Sequence, residues 1–268
     1  MTMRKGERTR TERAGGEEDG REPFGGIPAR GFALLRQLAE NNEPGWVRAN
    51  ADALDTALRR PFVRYLDDTT RKLSAEGFEL EGGAGTVFRM HRDRRFARDP
   101  RPLHEHVEAV FSRGGRRIGS RAAIHVRLDR RGGFLAAGSF LQPAAAQRAL
   151  REAMVARQRI FLRLARDLER EGAPLASESS LARAPRGFEG AAEGPLGPYL
   201  RMQEPRAFAR LRPAAWRSGD VVDDTVEFAL RTRRWGLFQR EALGGVPDVV
   251  ERPPRSPARA ARPAPGRG

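Results

Sequence analysis

The chain has no cysteine and only two lysines, Lys5 and Lys72. The first absence excludes a disulfide framework, a zinc–thiolate site and a thiol nucleophile. The second removes the lysine of a phosphate-binding P-loop, since neither Lys follows a glycine loop of that kind. The dinucleotide fingerprint, the G-x-S-x-G elbow and the H-E-x-x-H zinc helix are also absent. Aromatic residues are 7 % of the chain and Tyr65 and Tyr199 are its sole tyrosines, so no stacking platform for single-stranded nucleic acid is visible. No apolar run approaches the roughly 18–20 residues that span a bilayer. The N-terminus "MTMRKGERTRTERAGGEEDGREP" lacks the apolar core of a secretory signal. These absences lead to the expectation of a cytoplasmic protein without a membrane partner.

What is abundant is arginine. The formal net charge is +15 over 268 residues, with 50 basic and 35 acidic side chains. The excess is concentrated: residues 89–131 alone carry +8, thirteen Arg against five Asp or Glu. A localised basic surface attracts phosphates, carboxylates or nucleic acid.

Residues 1–26 are charged and aperiodic, and 246–268 are rich in Pro, Ala and Arg. Neither buries enough apolar surface to offset its ordering entropy, so both are expected to be disordered tails around one domain at 30–243. Within it the order is helices, strands, helices. Phe32, Leu35 and Leu38 sit at helical spacing, Trp46 to about Arg59 reads as a second helix, and Pro61 opens a third that ends at Gly77. "RAAIHVRLD" alternates as a half-buried strand, and "RRGG" turns it into "FLAAGSFL". "TVFRMHR" and "HVEAVFS" are expected as neighbouring strands. One long helix follows Pro143 to about Glu171, and a last one spans about Asp223 to Leu243. Strands grouped between helical blocks predict an α+β fold, with a mostly antiparallel sheet at about 86–140 flanked by helices.

The candidate chemistry lies in "FRMHRDRRFARDPRPLHEH", residues 88–106. On a strand, Phe88 and Met90 would face the core, while Arg89, His91, Asp93 and Arg95 would line the other face. The strand is expected to end near His91, with a structured loop beyond. Guanidinium groups suit an anion site because each offers five donors in a rigid fork and stays charged. Asp93 among several Arg would be held ionised and would orient them, and one carboxylate cannot neutralise three guanidinium groups. The bland alternative is an exposed strand face with Asp93 in a structural ion pair. All four His residues, 91, 104, 106 and 125, fall close together, and His104 and His106 would share a strand face. The basic surround disfavours a divalent cation, so no metal is assigned. His106 and His125 are candidates for polar or proton-transfer roles.

The run Arg89-x-x-Arg92-Asp93-x-Arg95-Phe96-x-x-Asp99-x-x-Pro102 resembles the signature R-x-x-R-D-x-R-F-x-x-D-K-x-P-Y of a bacterial family, domain of unknown function 2461. The likeness covers about 32–243. It includes Asn41, Asn42, Trp46 and Asn50 near the start and the element Pro185-Arg186-Gly187-Phe188 later. Pro100 and Leu103 stand where the signature has Lys and Tyr. Leu54 takes the place of a further Tyr, and Glu193-Gly194-Pro195 the place of an Asp-His-Pro. The resemblance implies one α+β domain and brings no known activity or cofactor.

The resulting expectation is a small anionic ligand, phosphate- or carboxylate-bearing, held by Arg89, Arg92, Arg95 and Arg186. Asp93 would position these groups and His106 or His125 would assist. Whether this is catalysis stays open, since no nucleophile–base pair can be named. The alternatives are a nucleic-acid-binding module that uses the basic sheet and the C-terminal tail, and an Arg–Asp network that is purely structural.

Overall fold

The computed structural model describes residues 23–92, 101–117, 121–140 and 142–245. The tails 1–22 and 246–268 therefore lie outside the described residues. The N-terminal tail was expected to run to residue 26, but Phe24 and Ile27 are already buried in the core. Phe24 N–H donates to Asp68 Oδ2 at 2.7 Å.

Helix α1, Ala29–Glu40, buries Phe32, Leu34, Leu35 and Leu38 on one stripe. The expected second helix is broken into α2, Pro44–Ala49, and α3, Ala51–Leu54, at Asn50, whose side chain bonds back to the Trp46 carbonyl. A π turn, Asp55–Arg59, joins α3 to α4, Arg60–Ala75, which buries Phe62, Tyr65, Leu66, Thr69 and Leu73. The long helix expected after Pro143 is two: α5, Ala144–Ala156, and α6, Gln158–Arg170. No Pro or Gly marks the break at Arg157. There the guanidinium lies 4.3 Å over the Phe238 ring and pairs with Glu241, so a tertiary contact holds the kink. The short helices α7, Gly197–Arg201, and α8, Pro213–Ser218, precede α9, Val221–Leu243. Helix α9 has buried residues on several sides because it is packed by α4, α5, α6 and α8 as well as by the sheet.

The fold is α+β, around an open five-stranded antiparallel sheet in the order β1-β2-β3-β5-β4. The strands are β1 His106–Phe111, β2 Ala123–Asp129, β3 Phe134–Gly138, β4 Leu175–Ala176 and β5 Arg206–Arg210. The β2–β3 hairpin forms where "RRGG" predicts it. Gly133 has φ 97°, and a Cβ there would lie 1.8 Å from the Arg127 carbonyl oxygen, so this turn requires glycine. Two strands come from outside the expected 86–140 block. β4 and β5 carry too few large apolar residues to show a period, and their place is set by pairing, β5 with β3 and β4 with β5.

Val107, Ala109 and Phe111 of β1, Ile124, Val126 and Leu128 of β2, and Leu135 and Ala137 of β3 join the main core. That core lies against α4 and α9. Two indoles pin it from within: Trp216 Nε1 donates to the Gly132 carbonyl at 2.6 Å and Trp235 Nε1 to the Ala137 carbonyl at 3.1 Å. By alternation the opposite face carries His106, Glu108, His125, Arg127, Phe134, Arg206 and Phe208.

Candidate functional site

The motif segment does not form the regular strand expected over "TVFRMHR". It runs antiparallel to residues 102–109 through two isolated bridges, Val87 with Ala109 and His91 with Leu103. Between these bridges one strand advances four residues and the other six, which is a bulge. The pairing is real nonetheless: Phe88 N–H bonds to the Glu108 carbonyl, His104 N–H to the Met90 carbonyl and Arg92 N–H to the Pro102 carbonyl.

The bulge breaks the alternation expected from sequence. Val87 is in the core and Met90 packs against it, three positions apart. Phe88 does not share the Met90 side. Its ring meets His125 edge-on at 5.9 Å, on the face opposite the core. Arg89 and His91 are exposed and line a groove between this segment and α2–α3. Arg92 does not line that groove: its Nε donates to the Leu103 carbonyl at 3.1 Å, and its charge acts on His104. The two arginines of R-x-x-R thus serve different places.

The opposite face of β1 and β2 holds a charged cluster centred on Glu108. His106 Nε2 is 3.0 Å from Oε1, which also accepts from Arg127 Nε, and His125 Nε2 is 3.3 Å from Oε2. Strand register explains the set. Glu108 is directly opposite Arg127, while His106 and His125 lie two residues away along β1 and β2. Burial pushes the Glu108 carboxyl up, but hydrogen bonding from His106 and the approach of His125 outweigh it and hold the group well below the usual carboxylate range. His104 stacks obliquely on His106 at 5.2 Å, so the two imidazoles of "HEH" do share a face. Burial and the charges of His106 and Arg92 lower the His104 pKa.

A wall of phenylalanines encloses His125. Phe134 at 5.7 Å and Phe140 at 5.2 Å meet its ring edge-on, as Phe88 does. Phe134 also lies under Arg127, and Phe140 under Arg206, which pairs with Glu178 at 3.1 Å. Inside this wall both ring nitrogens of His125 are buried and neither makes a hydrogen bond; Nε2 has only the 3.3 Å approach to Glu108 Oε2. A buried unpaired ring nitrogen is costly, and such atoms call for an explanation in function or strain.

Of the residues singled out from sequence, His106 and His125 come together on Glu108, and Arg92 acts on the adjoining His104. Asp93 and Arg95 lie outside the described residues. Arg186 is exposed on the loop before Phe188, and no contact joins it to this cluster among the described residues. Glu108 and Arg127, which organise the cluster, went unnoticed. The signal was present, because alternation puts 104, 106 and 108 on one face of their strand and 125 and 127 on one face of theirs. Asn42 and Leu103 also gain a role: Asn42 Nδ2 donates to the Leu103 carbonyl at 2.8 Å, and its Oδ1 accepts from the Leu103 N–H at 3.1 Å. This two-point clamp, joined by Arg92 on the same carbonyl, fixes the returning strand. No group of three or more His, Asp or Glu side chains among the described residues is arranged to hold a metal ion. No helix among them is long and apolar enough to cross a membrane.

Compared with protein families, residues 30–235 match the model described as "Conserved hypothetical protein (DUF2461)". No curated protein and no solved structure matches the chain.

Proposed function

The chain belongs to the DUF2461 family of conserved hypothetical proteins, and on that premise we propose that the Glu108 face binds a small phosphate- or carboxylate-bearing ligand, with His125 exchanging a proton with it. The observation that carries this reading is the His125 ring, whose Nδ1 and Nε2 are both buried without a hydrogen bond. Nε2 approaches Glu108 Oε2 at 3.3 Å, which leaves Nδ1 as the side of the ring turned from the carboxylate. Arg127 supplies positive charge nearby and is part-exposed beside the carboxylate it already serves, while Arg92 adds charge next to His104. An anion accepting from a protonated Nδ1 would satisfy one of the two ring nitrogens that the protein leaves unbonded. The reading leaves the reaction unassigned, because among the described residues no nucleophile–base pair is identified.

The satisfied Glu108 favours a second reading, in which the cluster only ties β1 to β2. A thermal-shift series separates the two. Inorganic phosphate, citrate and short phosphorylated sugars are titrated at constant ionic strength, with DNA and RNA oligonucleotides as parallel arms. Ligand binding gives saturable stabilisation that follows RT ln(1 + [L]/Kd), and His125→Phe abolishes it. If no small anion stabilises the wild type beyond matched sodium chloride, the structural reading stands. Stabilisation by oligonucleotides alone, falling steeply with salt, would place the basic surface in nucleic-acid binding instead.

A further inference from the structure

The groove that receives Arg89 and His91 has a volume of about 680 Å³, within the 300–1,000 Å³ of typical small-ligand sites. Its floor is apolar and reaches the core: Val47 and Met90 are half-buried, and Leu54, Val87 and Val107 are buried. Its rim is basic, with Arg48, Arg59 and Arg89 all exposed. Among the described residues Arg48 and Arg89 make no hydrogen bond or ion pair. Among the described lining residues the one carboxylate, Asp55, is engaged by Arg60 at 2.7 Å and approached by Arg59 at 3.5 Å. Asp55 and Arg59 are the two ends of the π turn, and at i and i+4 they share the face that lines the groove. π turns inside α-helices occur frequently at functional sites.

An apolar floor under unpaired guanidinium groups suits a molecule with an apolar body and one anionic end. Neither a bare phosphate nor a cation fits both halves. We propose that this groove binds an amphipathic anion, an aliphatic chain ending in a carboxylate or phosphate, with the chain on the Val47–Leu54–Val87 floor and the head on Arg48 and Arg89. The proposal does not depend on the Glu108 site. Phe88 stands between the two, touching His125 and lining the groove.

The test is calorimetric titration of the full chain with decanoate, decyl phosphate and decyltrimethylammonium, each below its micelle concentration, with inorganic phosphate as a fourth titrant. Two variants are compared: Arg48→Glu with Arg89→Glu, which reverses the rim charge at exposed positions, and Ala51→Trp, which fills the groove from the exposed face of α3. Decanoate or decyl phosphate is expected to bind with one-to-one stoichiometry. Each variant should weaken that binding at least tenfold while its unfolding curve stays near wild type. The preferred head group is read from which of the two binds tighter. The proposal is overturned if neither decyl anion binds, if decyltrimethylammonium binds equally well, or if both folded variants bind as wild type does. Because inorganic phosphate reports on the Glu108 face, its binding or failure to bind is scored separately.

Discussion

Glu108→Gln tests the centre of the structure most directly. The substitution keeps shape and one carbonyl oxygen but removes the charge that meets Arg127, His106 and His125. Hydrogen bonds to charged groups contribute about 1.5–3 kcal/mol each. Arg127 is 30 % exposed and His106 21 %, so water recovers part of that, and Gln still accepts from one donor. The net loss expected at pH 7 is about 2 kcal/mol, a fall in Tm of roughly 4–8 °C for a domain of this size. The pH dependence carries the sign. The folded state depresses the Glu108 pKa from its ordinary 4.5, so below that value the unfolded chain takes up the proton first. Stability from this group is full above about pH 4.5 and is lost as pH falls, by at most about 1.4 kcal/mol per unit. The gap between wild type and Glu108→Gln should therefore close between pH 4.5 and about 3. Urea unfolding at pH 7, 5, 4 and 3 reads this gap. A gap below about 0.5 kcal/mol at pH 7, or one that stays constant down to pH 3, would refute the account of Glu108 as a buried, charge-satisfied acceptor.

Three further outcomes are expected. Gly133→Ala should destabilise by about 3 kcal/mol or more in urea unfolding, because φ 97° and the Arg127 carbonyl both oppose a Cβ; a loss under 1 kcal/mol would mean that the hairpin turn relaxes freely. Asn42→Ala should cost about 2 kcal/mol by unpairing the Leu103 backbone, and amide exchange at Leu103 should accelerate while that of Val126 changes no more than global stability requires. His125→Phe, surrounded by three phenylalanines, should stay within about 1 kcal/mol of wild type while losing all stabilisation by small anions; retained anion stabilisation in the folded variant would remove His125 from the site.

Much of the fold was legible because period is a local property. The stripes of α1 and α4, the alternation of β2 and the glycine turn after it follow from spacing alone, since each element must bury one face. The α+β class and the family likeness followed from the same residues. Period does not report partners. β5 is visible only as the neighbour of β3, and the kink at Arg157 exists because α9 presents Phe238 and Glu241 to it.

The same limit governs the candidate site. From the sequence alone came the place where charge and imidazole concentrate, and the residues Arg92, His106 and His125. The tertiary structure decided that Glu108 is the hub of the two imidazoles, because cross-strand register sets Arg127 directly opposite it. It also separated Arg89 from Arg92. Two extra residues on the partner strand make a bulge, the bulge breaks the alternation at Val87–Met90, and a strand rule that assumes an unbroken ladder sends those side chains to the wrong face.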